Sequence, residues 1–165
     1  MKAILVGFLL LVAVGSVMAA PPSTLSEQLL ENYYSIQKSL ASDSINGISA
    51  SAAQLADISR KSAATEPQAK AQLLTLADAA TKFQAADLKS ARGGFGELSD
   101  KMIAFLQVAG AKRNPPYQFF CPMVKKNWLQ PNKETRNPYF GSAMLTCGEL
   151  VQPKPVEQQT EHNHH

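Results

Sequence analysis

Histidine is missing from the first 161 residues of this chain, and its three histidines all fall in the last four positions. Outside that tail, a Ser-His or Cys-His nucleophilic pair or a His-ligated hydrolytic metal has no side chain to build on. Cysteine is scarce as well: Cys121 and Cys147 are the whole thiol inventory. They do not form a Cys-x-x-Cys pair, which argues against a thioredoxin-type redox centre and c-type haem attachment. An excess of one charge is lacking too, with 16 Lys and Arg against 13 Asp and Glu. So even a balance offers no concentrated basic face for phosphates, and nucleic acid is not expected as a partner. Gly93-Gly94-Phe95-Gly96 sits inside a helical pattern, with no strand before it and no Lys-Ser or Lys-Thr after it. It is therefore not read as a phosphate loop. Acid pairs such as Glu27 and Glu31 fall on a helix surface, spaced for solvation. No enzyme is expected.

Long apolar runs are also rare, and the one present is informative. Met1-Lys2 precedes an apolar stretch from Ala3 to Val14, and Val17-Met18-Ala19 follows with small or tolerated residues at the cleavage positions. This is a secretory signal pattern, with the cut expected after Ala19. The stretch is shorter than the roughly 20 residues that span a bilayer. No cysteine lies near the cut for a lipid anchor, and no second apolar run follows. Residues 1–19 are thus expected to be a signal peptide, and the mature chain a periplasmic protein without a membrane span. Its length of about 145 residues suits one domain.

Residues 20–110 are rich in Ala, Leu, Ser, Gln and Lys, and read as helices. Thr24 with Glu27 forms a capping-box pattern, followed by Leu25, Leu29, Tyr33, Ile36 and Leu40 at helical spacing. Asp43 is the expected cap of a second helix bearing Ile48, Ala52, Leu55 and Ile58. Thr65-Glu66-Pro67 opens a third, with Leu73, Leu76, Ala80 and Phe83 on its stripe. After a break near Asp87, the stripe Leu88, Ala91, Phe95, Leu98, Met102 and Phe105 runs to a stop at Gly110. Gly93, Gly94 and Gly96 mark either close packing or a kink. The fold class expected is all-α, an up-and-down antiparallel bundle of about four helices. Residues 111–150 read as an irregular Cys/Met/aromatic module packed on that bundle, and residues 151–165 as a disordered tail.

The module carries the chemistry-bearing residues. An extended Cys121-Pro122-Met123 would put its sulfurs on one side, and a helical turn would do the same for Met144 and Cys147. Two such pairs brought face to face by a turn at Asn137-Pro138 would offer Cys121, Met123, Met144 and Cys147 as metal ligands. Thiolates and thioethers select Cu(I) or Ag(I); Zn(II) rarely takes Met. The ring of Trp128 is a candidate shield over such a cation, or, with Phe119, Phe120, Tyr139 and Phe140, part of the docking surface onto the bundle. In an oxidising compartment a Cys121–Cys147 disulfide is the competing reading. It would close a loop of about 27 residues and contribute roughly 3 kcal/mol. His162, His164 and His165 are a weak secondary metal site, able to hold Cu(II), Ni(II) or Zn(II) loosely.

Cys121-Pro122-Met123, Trp128-Leu129-Gln130, Arg136-Asn137-Pro138-Tyr139-Phe140-Gly141 and Met144-Leu145-Thr146-Cys147-Gly148-Glu149 together make a recognisable signature. It resembles that of an uncharacterised domain family of bacterial periplasmic proteins, often fused to or encoded beside the membrane-fusion adaptors of Cus-type copper and silver efflux pumps. The resemblance is specific over residues 119–149 and loose over the helices. It implies a periplasmic, heavy-metal setting, with an efflux adaptor or another metal-handling protein as partner. Three functions stay open: a Cu(I)/Ag(I)-binding protein of heavy-metal efflux or resistance, a helical interaction module with a structural disulfide that contacts an envelope or efflux protein, and, with less behind it, a redox sensor switching through Cys121 and Cys147.

Overall fold

A computed structural model of the chain describes residues 23–111 and 114–151. The expected signal peptide and the tail bearing His162, His164 and His165 lie outside the described residues. Helix α1 (Leu25–Ala41) starts where the capping box places it. The Thr24 hydroxyl accepts from the Glu27 amide at 3.3 Å, and the Glu27 carboxylate accepts from the Thr24 amide at 2.7 Å. Two orphan amides of the first turn are thereby satisfied. Leu29, Tyr33, Ile36 and Leu40 are fully buried, as their spacing requires.

Helix α2 (Ile48–Ser62) begins later than expected, after Gly47 in the left-handed conformation. Asp43 does not cap it: its carboxylate is taken by Arg92 and by the Ser142 amide. A short 3-10 turn, Pro67–Ala69, leads into α3 (Lys70–Lys82). Helix α4 (Leu88–Ala109) is capped by Asp87 and runs unbroken through its glycines. Gly94 lies against the Phe83 ring and Gly96 against the aliphatic stem of Lys126, so these small residues serve close approach rather than a kink. Consecutive helices pack on one another and α4 returns to α1. Among the described residues no helix is long and apolar enough to cross a membrane.

The expectation of an all-α protein with an irregular C-terminal module is corrected by the segment after α4. Strands β1 (Tyr117–Cys121), β2 (Lys126–Gln130) and β3 (Glu149–Leu150) form an antiparallel sheet in the order β2-β1-β3. The chain is therefore mixed α/β. The register pairs Phe119 with Trp128 and Cys121 with Lys126, and sets Leu150 beside Phe119 on the other side. Aromatic and β-prone residues fit a pleated, half-buried surface, which is why this stretch pairs rather than loops.

One apolar cluster runs through both halves, joining the helical stripes to Phe119, Cys121, Trp128, Leu129 and Tyr139. A chain of rings makes the connection visible. Tyr33 stacks on Phe95 at 5.4 Å, Phe95 meets Tyr139 at 5.6 Å, Tyr139 meets Trp128 at 6.1 Å, and Trp128 stacks on Phe119 at 5.1 Å. Polar groups that enter this core are mostly bonded, the Ser59 hydroxyl being an exception. The Tyr33 hydroxyl pairs with Ser99 at 2.7 Å and accepts from the Leu129 amide at 3.1 Å, fastening β2 to α1 and α4. Burial pushes the Tyr33 phenol well above its ordinary range, so the hydroxyl stays a neutral donor and acceptor.

Candidate functional site

Asn137 is fully buried and organises the site. Its main-chain amide donates to the Leu145 carbonyl at 2.7 Å, and its carbonyl accepts from the Gly141 amide at 3.1 Å. Its side-chain oxygen accepts from the Tyr139 amide at 2.8 Å, the local bond by which Asn shapes a turn. Its side-chain nitrogen donates in two directions, to the Cys147 carbonyl at 2.7 Å and to Cys121 Sγ at 3.4 Å. Sulfur is a weak acceptor, so the second contact positions the thiol more than it stabilises the fold. One carboxamide thus ties the two cysteine-bearing segments together.

Both thiols are free, Cys121 fully buried at the end of β1 and Cys147 partly buried. Met144 ends a 3-10 turn, Gly141–Met144, and the Cys147 amide donates to its carbonyl at 3.0 Å, so Met144 and Cys147 do share one turn. Met123 behaves otherwise. Pro122–Lys125 is a turn and not extended backbone, and Met123 is 62 % exposed beside a fully buried Cys121. The structure therefore links the Cys121 thiol, through Asn137, to the backbone of the Met144–Cys147 turn, and leaves Met123 exposed on the turn after β1.

Trp128 is packed closely. Phe119 covers one face, Tyr139 meets it at 82°, and its indole N–H donates to Gln130 Oε1 at 3.0 Å. Its far edge lies where a Cβ on residue 148 would stand, so only glycine fits after Cys147. The tryptophan lies against Gly148, the residue after Cys147, while serving as core. Phe119 and Tyr139 share that docking role, and the Tyr139 hydroxyl donates to the Asn127 carbonyl at 2.6 Å.

A second cluster holds the module to the helices. Arg92 of α4 donates to Asp43, to the Leu40 carbonyl at 3.0 Å and to the Pro138 carbonyl at 3.2 Å. The Ser142 amide donates to Asp43 at 3.0 Å. Hydrogen bonds from Ser142 and then Arg92 hold the Asp43 carboxyl down to about 2. Gly141 stands over this pair with φ +56, and a Cβ there would overlap both the carboxylate and the guanidinium. Gln37 adds a bond of 2.7 Å to the Arg136 carbonyl.

Asn137, Gln130, Arg92 and Asp43 were not among the residues expected to build the site. The Asn-Pro dipeptide and Gly141 were the available signals, since both mark special backbone. Among the described residues no three His, Cys, Asp or Glu side chains gather in one place. The candidate donor set consists of sulfur atoms alone, and such donors fit a soft monovalent ion. Comparisons with protein-family models, curated proteins and solved structures returned no match.

Proposed function

We propose that the chain is an exported soft-metal carrier in which reduced Cys121 and Cys147 take Cu(I) or Ag(I) as cargo. Met144 completes the set from one turn away. Met123, exposed on the adjacent turn, is the thioether an incoming ion meets first, and exchange of sulfur ligands delivers it to a partner. What supports the reading is a single observation: the Asn137 carboxamide donates both to the Cys121 thiol and to the Cys147 carbonyl, joining the segments that carry two unbridged cysteines. The resemblance of residues 119–149 to the periplasmic family beside Cus-type adaptors supplies the metal and the kind of partner. The proposal is one of binding and transfer, not catalysis.

The test is an anaerobic Cu(I) titration of the reduced protein against a chromophoric chelator. His162, His164 and His165 are replaced by Ala to silence the tail. One tight equivalent that disappears in Cys121→Ser/Cys147→Ser is the expected result. Failure of the reduced protein to compete with the chelator sinks the metal reading.

A second reading has its own support. Asn137, Tyr139, Gly141 and Gly148 of the signature all have packing or turn-forming jobs, and Cys121 is fully buried. A structural Cys121–Cys147 disulfide in an interaction module that docks on an envelope protein would use the same residues. A mass lower by two hydrogens in protein isolated without reductant, with no Cu(I) uptake after reduction, favours this second reading.

A further inference from the structure

We propose that a cleft between Tyr34 of α1 and the open edge of the sheet is a binding site for a small aromatic carboxylate, separate from the thiols. The cleft encloses about 610 Å³ between Tyr34 of α1, the approach to β1 at Asn114–Gln118, Pro131 and Lys133 after β2, and Leu150 with Val151. That volume lies in the range of small-molecule sites, roughly 300–1,000 Å³. It suits one organic molecule better than the broad face a protein partner requires.

The lining defines the ligand. Pro115, Pro116 and Pro131 give it walls with fixed backbone angles and no amide donors of their own. Tyr34 and Tyr117 add ring surface, and Leu150 is 37 % exposed with its apolar side chain uncovered. An apolar, flat body is the natural complement, since rings gain from stacked or edge contacts beyond plain burial.

Charge selects the other end of the molecule. Among the described residues no carboxylate lines this cleft, and Lys133 is its one charged residue. The Lys133 ammonium lies 5.6 Å from the Tyr117 ring centroid, at the cleft wall. Among the described residues it forms no ion pair; the three salt bridges use Lys61, Arg92 and Lys126. A cation held over a ring without an ion-pair partner among the described residues can take a carboxylate in a charge-assisted bond. Asn114 and Gln118 supply amide donors at the same wall. The adjoining hollow across Tyr34, about 520 Å³, carries two carboxylates, Glu27 and Glu31, against one ammonium, Lys38, and is the poorer match for an anion. The two hollows therefore differ in charge balance, and the first is the better match for an anion.

The test titrates the full chain with 2-naphthoate and follows backbone amide chemical shifts. Saturable shifts at Gln118, Lys133, Leu150 and Val151 are expected, with Ala53 and Ala80 in a distant hollow unmoved. Lys133→Glu and Leu150→Asp, both at exposed positions where folding is not at risk, should each weaken binding about tenfold or more. Neutral 2-naphthalenemethanol should bind about tenfold more weakly than the carboxylate. The same titration on Cys121→Ser/Cys147→Ser should match the unaltered protein, because the cleft shares no residue with the thiols. No saturable shift, equal binding of the neutral alcohol, or unchanged affinity in Lys133→Glu would each overturn the proposal.

Discussion

In the helical half, the fully buried side chains are mostly Leu, Ile and Phe at three- and four-residue spacing. Many of the side-chain hydrogen bonds there stay within one helical turn, as at Asn32 to Gln28, Ser35 to Glu31 and Thr81 to Ala77. In the sheet half, buried Asn137 and Gln130 each bond several main-chain groups, and the clamp at Asp43 and Arg92 spans distant segments. The first half is held by area, which many apolar residues can supply; the second is held by particular atoms, which few can. Substitutions should therefore fall differently on the two, even though one core joins them.

The sharpest way to break this comparison is to empty the shared core from each side. Phe95→Ala and Trp128→Ala should each cost about 3–5 kcal/mol in denaturant unfolding. Both should keep a single transition seen alike by far-UV and tryptophan-free probes. Two separated transitions would mean the halves are independent after all. A smaller effect is expected at the hub. Asn137→Ala leaves the Tyr139 amide and the Cys147 carbonyl without their partner and should cost about 2–4 kcal/mol. The Cys121 thiol should also react faster with a disulfide reagent; a loss under about 0.5 kcal/mol would remove Asn137 from the structural account.

The mildest probe is acid. The folded Asp43 carboxyl sits at about 2, below its ordinary 3.8. Its contribution to stability is thus complete above about pH 4 and is lost as the pH falls toward 2. Denaturant midpoints measured across that window should drop in the unaltered protein. Asp43→Asn should be less stable at neutral pH and show a flatter decline below pH 4. Parallel curves for the two proteins would show that the clamp does not couple the module to the helices.

The helices were readable because burial on one face leaves a 3.6-residue period, and Thr24, Glu27 and Gly110 punctuate it. The sheet was not, for physical reasons. Trp128, Leu129 and Gln130 are buried in succession because β2 is covered on both faces, so no alternation survives. The hairpin turn Pro122–Lys125 lacks the usual Asn-Gly signal, and Lys125 itself adopts φ 53. Asp43 looked like a cap because the residue type suits one; its use by Arg92 and Ser142 depends on contacts 49 and 99 residues away. The sulfur residues could be picked out by type and spacing. The buried carboxamide between them could not, since an Asn before Pro announces only a turn.

Trp128 is the sole tryptophan, and it is fully enclosed, stacked on Phe119 and bonded through its indole N–H to Gln130. Its emission is therefore an optical gauge placed in the sheet half: blue while water is excluded, red once the hairpin opens. Because its edge lies against Gly148, the neighbour of Cys147, the same light should dim when a heavy ion settles at that cysteine. The chain carries its own dye at the place one would choose to put one.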